Sequence, residues 1–229
     1  MDLLYFLKTR LKFIEQLYDG AVSPFEETKR KIEQHESPYI DNRNPEHVSE
    51  PAFLAEWQQT DDSIMVIGHW ALCMVQASLK AYLKECIGPL GSVWWRPDIL
   101  HAELAKKKGG SSFGRYRVLF LEDLEIDWNK GPVPLSQLEQ LNLTRDNLVH
   151  NMDMLSMSVM RDEKHVEKFP IGLFTDELWY GLGMERVRVD KKKLILAIEL
   201  VEKFCAWIDG IRCTYPKPME IAPKIDQTN

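Results

Sequence analysis

From Ala52 to Ile87 the chain contains no proline, and between Ile64 and Val75 it is apolar almost all the way round. A proline-free stretch of this length reads as one helix, and a helix that is apolar on every side must be surrounded by other elements. That requirement points to an all-α fold, a helical bundle built around a long central helix. Gly88-Pro89 supplies the stop. The apolar run includes Gly68 and His69 and is shorter than the roughly 18 to 20 residues needed to cross a bilayer, so the expected burial is in protein rather than in lipid. The chain has 229 residues, close to the upper size of one domain. The reading is a single helical domain over 1–213, followed by an extended or disordered tail over 214–229 that carries Pro216, Pro218 and Pro223.

Around the central helix, three- and four-residue steps mark further elements. Leu3, Leu7, Leu11, Ile14 and Tyr18 predict an amphipathic helix ending at Gly20. Ser23-Pro24-Phe25-Glu26 has the form of a helix start and predicts a second, charged helix to about Glu36. Ser37 to Glu50, with Pro38 and Pro45, reads as a surface loop. Pro97 to Lys108 reads as a short helix, and Ser112 to Leu124 as helix in preference to buried strand. Leu135 to about Arg161 predicts another helix, and Asp190 caps a last one through Leu194, Ile198, Val201, Cys205 and Ile208. Between them, 169–189 has the aromatic, glycine and alternating features of a small β-hairpin.

A formal charge of −6 argues against a general nucleic-acid coat protein, so any RNA contact must be local. Two basic clusters could make it: Lys106, Lys107, Lys108, Arg115 and Arg117 around a Gly-Gly-Ser-Ser turn, and Arg186, Arg188, Lys191, Lys192 and Lys193 before the last helix. The plainer reading of both is helix-end charge kept wet. Cys73, Cys86, Cys205 and Cys213 form no CxxC pair, which argues against zinc and against a disulfide framework. No basic, apolar and small-residue leader opens the sequence, so the cytoplasm is the expected compartment, with no membrane partner. Phosphate-loop, HExxH and Gly-x-Ser-x-Gly motifs are absent. His69 and Trp70 read as core, Trp94-Trp95 as a core-covering pair, and Glu122, Asp123, Glu125 and Asp127 as a solvated acidic run. Neither a metal site nor a cofactor is expected.

The segment that can carry chemistry is Arg145-Asp146-Asn147-Leu148-Val149-His150. Leu143 and Leu148 flank Thr144 like a hydrophobic staple, which predicts Thr144 as the N-cap and Arg145 as the first helical residue. Arg30 to His35 and Arg96 to His101 repeat the spacing, but Lys31 and Pro97 follow those arginines; only Arg145 is followed by a polar acid. Five helical steps leave Arg145 and His150 about 140° apart, so they reach one phosphate from a pocket or across two facing copies. An imidazole exchanges protons near neutral pH, and a guanidinium holds a phosphate in bidentate fashion.

These residues resemble the motif of the HEPN superfamily, helical ribonucleases and nucleotide-binding proteins. The resemblance implies a homodimer with facing motifs, Arg145 on the phosphate, His150 as the catalytic histidine and Asp146 as the polar support. Asn147 is added as a neighbour, and Arg115, Arg117, Lys107 and Lys108 as RNA or phosphate contacts. It further implies metal-independent RNA cleavage to a 2′,3′-cyclic phosphate in a toxin or defence role, with an antitoxin as a further partner. The alternative is a non-catalytic helical module that binds RNA, a nucleotide or a protein; a plain helical scaffold is a third option.

Overall fold

The computed structural model describes residues 2–43, 50–87, 107–108, 112–150, 158–177 and 185–214. In chain order the elements are α1 (Leu3–Glu33), α2 (Leu54–Ile87), α3 (Ser112–Leu124), a 3-10 turn (Trp128–Lys130), α4 (Leu135–His150), α5 (Glu163–Lys168), β1 (Thr175–Glu177), β2 (Glu185–Val187) and α6 (Lys191–Thr214). The fold is all-α with a long central helix and one small hairpin.

Asp2 opens α1 by accepting from the Tyr5 N–H at 2.8 Å. The helix does not stop at Gly20, nor does a second begin at Ser23; α1 runs unbroken through Pro24. Tyr18, Val22 and Ile32 extend the buried stripe of Leu7, Leu11 and Ile14, so packing against α2 outweighs the local break signals. Lys29 reaches Asp61 at 2.6 Å and the Trp57 indole N–H donates to Glu33 at 3.0 Å, so the end of α1 meets the start of α2 and the two run antiparallel.

By length and composition α2 could cross a membrane, and it is the one such helix among the described residues. Here it is the core helix: α1, α4 and α6 pack on it, burying Leu72, Val75, Leu79 and Leu83. At Gly68 an added Cβ would lie against the carbonyl oxygen of Val189, far inside contact distance, so glycine permits the close approach of α2 to the chain leaving β2. The His69 Nε2 meets the Val187 carbonyl at 2.9 Å and burial lowers the ring's pKa, consistent with the core role expected for it.

The hairpin pairs Thr175 with Val187 in antiparallel register. Asp190 caps α6 by accepting from the Lys193 N–H at 2.8 Å, as its sequence predicts. A second core focus is Trp128, whose ring lies 5.0 to 5.4 Å from those of Phe113, Phe120 and Phe204. The expected helix ending at Lys108 lies outside the described residues except for Lys107 and Lys108, and Trp94-Trp95 and most of the 214–229 tail lie outside them altogether.

Candidate functional site

α4 carries the arginine-histidine segment, but not at its start. Leu138, Leu141 and Leu148 continue one apolar stripe, so the helix begins at Leu135 and Thr144 is a buried interior residue rather than an N-cap. Nor does it run to Arg161. α4 ends at His150, 151–157 lie outside the described residues, and Val159 to Arg161 sit beside β2, with the Val187 N–H donating to Val159 and the Arg161 N–H to Glu185.

A polar chain crosses from the core to the motif. The Gln76 side-chain amide on α2 donates to Asn142 Oδ1 at 2.9 Å. Asn142 in turn approaches Asp146 at 3.4 Å, and Asp146 accepts from Arg145 Nη1 at 2.9 Å. Gln76 and Asn142 are buried while Arg145 and Asp146 are half-exposed, so a buried amide pair steadies an ion pair at the surface. A half-exposed pair adds little stability; its consequence is orientation. His150 is exposed on the last residue of the helix, one turn beyond. Beneath the pair lies Cys73, whose thiol is pushed up by burial and pulled back by Arg145.

Asn147 points the other way, into the protein, where its side-chain nitrogen lies 3.3 Å from His165 Nδ1. Burial, reinforced by Arg161, lowers the His165 pKa to about 4. Arg161 is itself buried and donates to the Glu185 carboxylate and to the Phe169 carbonyl. Asn147 therefore serves the interior rather than the surface site.

A cleft of about 450 Å³ opens between α3 and α4. Arg117 and Glu122 from α3, Glu139 and Leu143 from α4, Lys108 and Lys168 line it, and Asn142 joins it to the polar chain. Lys168 pairs with Glu139 at 2.8 Å and Lys108 lies 3.7 Å from Glu122. Arg117 and Lys108 thus share one cavity, whereas the exposed Arg115 and His150 and the half-exposed Arg145 and Asp146 lie outside its lining. Lys168 is the member that sequence spacing missed, because only the tertiary fold brings α5 beside α3.

Most of the second basic cluster is occupied internally, Lys192 being exposed. Arg188 grips Asp61 through two bonds of 2.6 and 2.8 Å, and Lys193 pairs with Asp176. Lys191 reaches Asp19 at 2.6 Å and Glu15 at 3.0 Å. Burial alone would raise the Asp61 carboxyl, yet Arg188 and Lys29 hold it at about 2. In the acidic run Asp127 is a turn cap, accepting from the Asn129 N–H at 3.0 Å. Among the described residues no three His, Cys, Asp or Glu side chains converge as a metal site would require. Comparison with family models, curated proteins and solved structures finds no match to this chain.

Proposed function

We propose that this protein is a metal-independent endoribonuclease of the HEPN kind, a cytoplasmic toxin or defence protein that acts as a homodimer with the two α4 motifs facing each other. The observation that supports it most is the Arg145–Asp146 pair, steadied from the core through Asn142 and Gln76 and set one turn before the exposed His150. Arg145 binds the scissile phosphate and stabilises charge on its non-bridging oxygens. His150 takes the proton from the ribose 2′-hydroxyl, and the 2′-oxygen attacks phosphorus. The bond to the 5′-oxygen breaks, and that oxygen takes up a proton from the imidazolium of the facing copy. The products are a 2′,3′-cyclic phosphate and a 5′-hydroxyl. An antitoxin partner would act by covering α4.

The test is cleavage of labelled RNA in EDTA by wild type, Arg145→Ala and His150→Ala. Wild type should give cyclic-phosphate ends and both variants should lose at least ~100-fold in rate. Equal cleavage by wild type and His150→Ala would overturn the reading.

A second reading rests on the cleft, which gathers Lys108, Arg117 and Lys168 without including Arg145 or His150. In it the chain is a non-catalytic module that binds RNA or a nucleotide between α3 and α4. Binding without cleavage, weakened by Arg117→Ala and unaffected by His150→Ala, would select it.

A further inference from the structure

The cleft between α3 and α4 divides into an apolar floor and a charged rim. Phe113 and Asn142 are its most buried walls, at 6% and 5% exposure, and Val118 and Leu143 are half-buried beside them. The side chains of Lys108 and Lys168, 59% and 56% exposed, stand at the mouth. This division suits a molecule with an apolar body and one charged end, and a volume of about 450 Å³ falls within the range of small-molecule sites.

The rim defines the charged end. Among the described residues the lining carries three cations, Lys108, Arg117 and Lys168, and two carboxylates, Glu122 and Glu139, so it is short of one negative charge. Lys168 takes Glu139 at 2.8 Å, and Lys108 lies 3.7 Å from Glu122. Arg117 is left with Asn129 at 3.4 Å and Glu139 at 4.0 Å, both long for a guanidinium with five N–H donors. Phe113 and Gly114 belong to the first turn of α3, whose dipole adds positive potential along the same wall. A carboxylate has the single charge and the two coplanar oxygens that Arg117 can hold in bidentate fashion. A phosphate dianion or a nucleic-acid strand would bring additional negative charge against Glu122 and Glu139.

The floor adds a polar anchor. Asn142 accepts from Gln76 through Oδ1 at 2.9 Å, while its amide nitrogen, which carries two hydrogens, has one acceptor among the described residues, Asp146 at 3.4 Å. One N–H of a buried side chain is thus left over on the cleft wall, and a ligand oxygen accepting from it would relieve the cost of leaving it unpaired.

We propose that the cleft is a binding site for a small amphiphilic monocarboxylate. The carboxylate lies on Arg117, the apolar body on Phe113, Val118 and Leu143, and an ether, keto or hydroxyl oxygen of the body accepts from Asn142. This assigns the cleft differently from the RNA or nucleotide of the second reading, and it holds whether or not α4 cleaves RNA.

The experiment is calorimetric titration of the full chain with naphthoxyacetate, with naphthoxyethanol as its uncharged counterpart, with naphthylpropanoate, in which a methylene replaces the ether oxygen, and with adenosine monophosphate and an octanucleotide. Naphthoxyacetate should bind with a Kd in about the micromolar range, the alcohol about tenfold or more weaker, and naphthylpropanoate several-fold weaker. Arg117→Ala should weaken naphthoxyacetate about tenfold or more, and Leu121→Glu, a carboxylate placed at an exposed position on the mouth, should abolish its binding. Both variants should melt as wild type does, because both side chains reach water. Absence of naphthoxyacetate binding to wild type, equal affinity for the acid and the alcohol, or binding indifferent to both substitutions would overturn the inference. Equal affinity for naphthoxyacetate and naphthylpropanoate would overturn the contact with Asn142. Adenosine monophosphate or the octanucleotide binding more tightly than the acid, and losing this in Arg117→Ala, would overturn the inference in favour of the second reading.

Discussion

Asn147 and His165, eighteen residues apart, meet inside the protein with the amide nitrogen 3.3 Å from the imidazole Nδ1. The contact ties α4 to α5, and it is made by a neutral ring: burial and the Arg161 charge lower the His165 pKa to about 4. In the unfolded chain the same ring titrates near 6.5. Above about pH 7 it is neutral in both states. As the pH falls through 6.5 the unfolded state takes up its proton first, so stability drops until about pH 4, where the folded state protonates too and the drop ends. His165 accounts for about 3 kcal/mol of this loss. Urea unfolding at intervals from pH 7.5 to 4 should show it, and His165→Gln should flatten much of the slope. The remainder belongs in part to His69, whose pKa is lowered in the same direction.

Two glycines in long helices should respond oppositely to alanine. At Gly68 the added Cβ meets the Val189 backbone carbonyl, which cannot swing aside as a side-chain tip can, so Gly68→Ala should cost about 2–4 kcal/mol as the end of β2 is forced off α2. At Gly20 there is nothing within 4 Å, and Gly20→Ala should stabilise by up to about 1 kcal/mol through helix propensity. Thermal melts of the two variants at one dilute protein concentration check both signs.

The same contrast shows what a sequence can and cannot disclose. α2 and α6 were legible because a period near 3.6 persists over many turns, and Asp190 marks the start of α6 at the position where it caps. α1 reads as two helices in the sequence because Gly20 and Pro24 are strong local signals, whereas Tyr18 and Val22 gain their weight only against α2. Thr144 looked like a cap because Leu143 and Leu148 flank it, yet Leu138 and Leu141 show the stripe already under way. Arg145, Asp146 and His150 could be chosen from the chain alone. Gln76 behind Asn142, Lys168 in the cleft and Arg161 beneath the hairpin could not, since each depends on a partner distant in sequence.

Gln76 donates to a buried acceptor on Asn142, so removing one partner should cost more than removing both. Gln76→Leu leaves the Asn142 oxygen unpaired and should destabilise by about 1–3 kcal/mol; adding Asn142→Leu should recover part of that loss. The motif responds differently. With Asn142 gone, Asp146 loses its tether and Arg145 its fixed position, so RNA cleavage should fall in the double variant even as stability returns. Denaturation and cleavage assays on the single and double variants separate the two effects.

Asp61 is a buried carboxylate on which Lys29 of α1 and Arg188, just after β2, converge, with Arg186 at 3.9 Å. Asn at this position keeps the shape and removes the charge, leaving two largely covered cations without their anion. The cost should be about 2–4 kcal/mol, below that of a fully buried pair because Lys29 and Arg188 still reach water. The acid limb supplies an independent check. The folded-state pKa is held at about 2, below the ordinary carboxylate value near 4, so this carboxylate's contribution is complete above about pH 4 and is lost as the pH falls from 4 towards 2. Asp61→Asn should therefore be less stable than wild type at pH 7 and converge on it near pH 2. A constant difference between the two proteins across that range would mean that the bridge contributes shape and not charge.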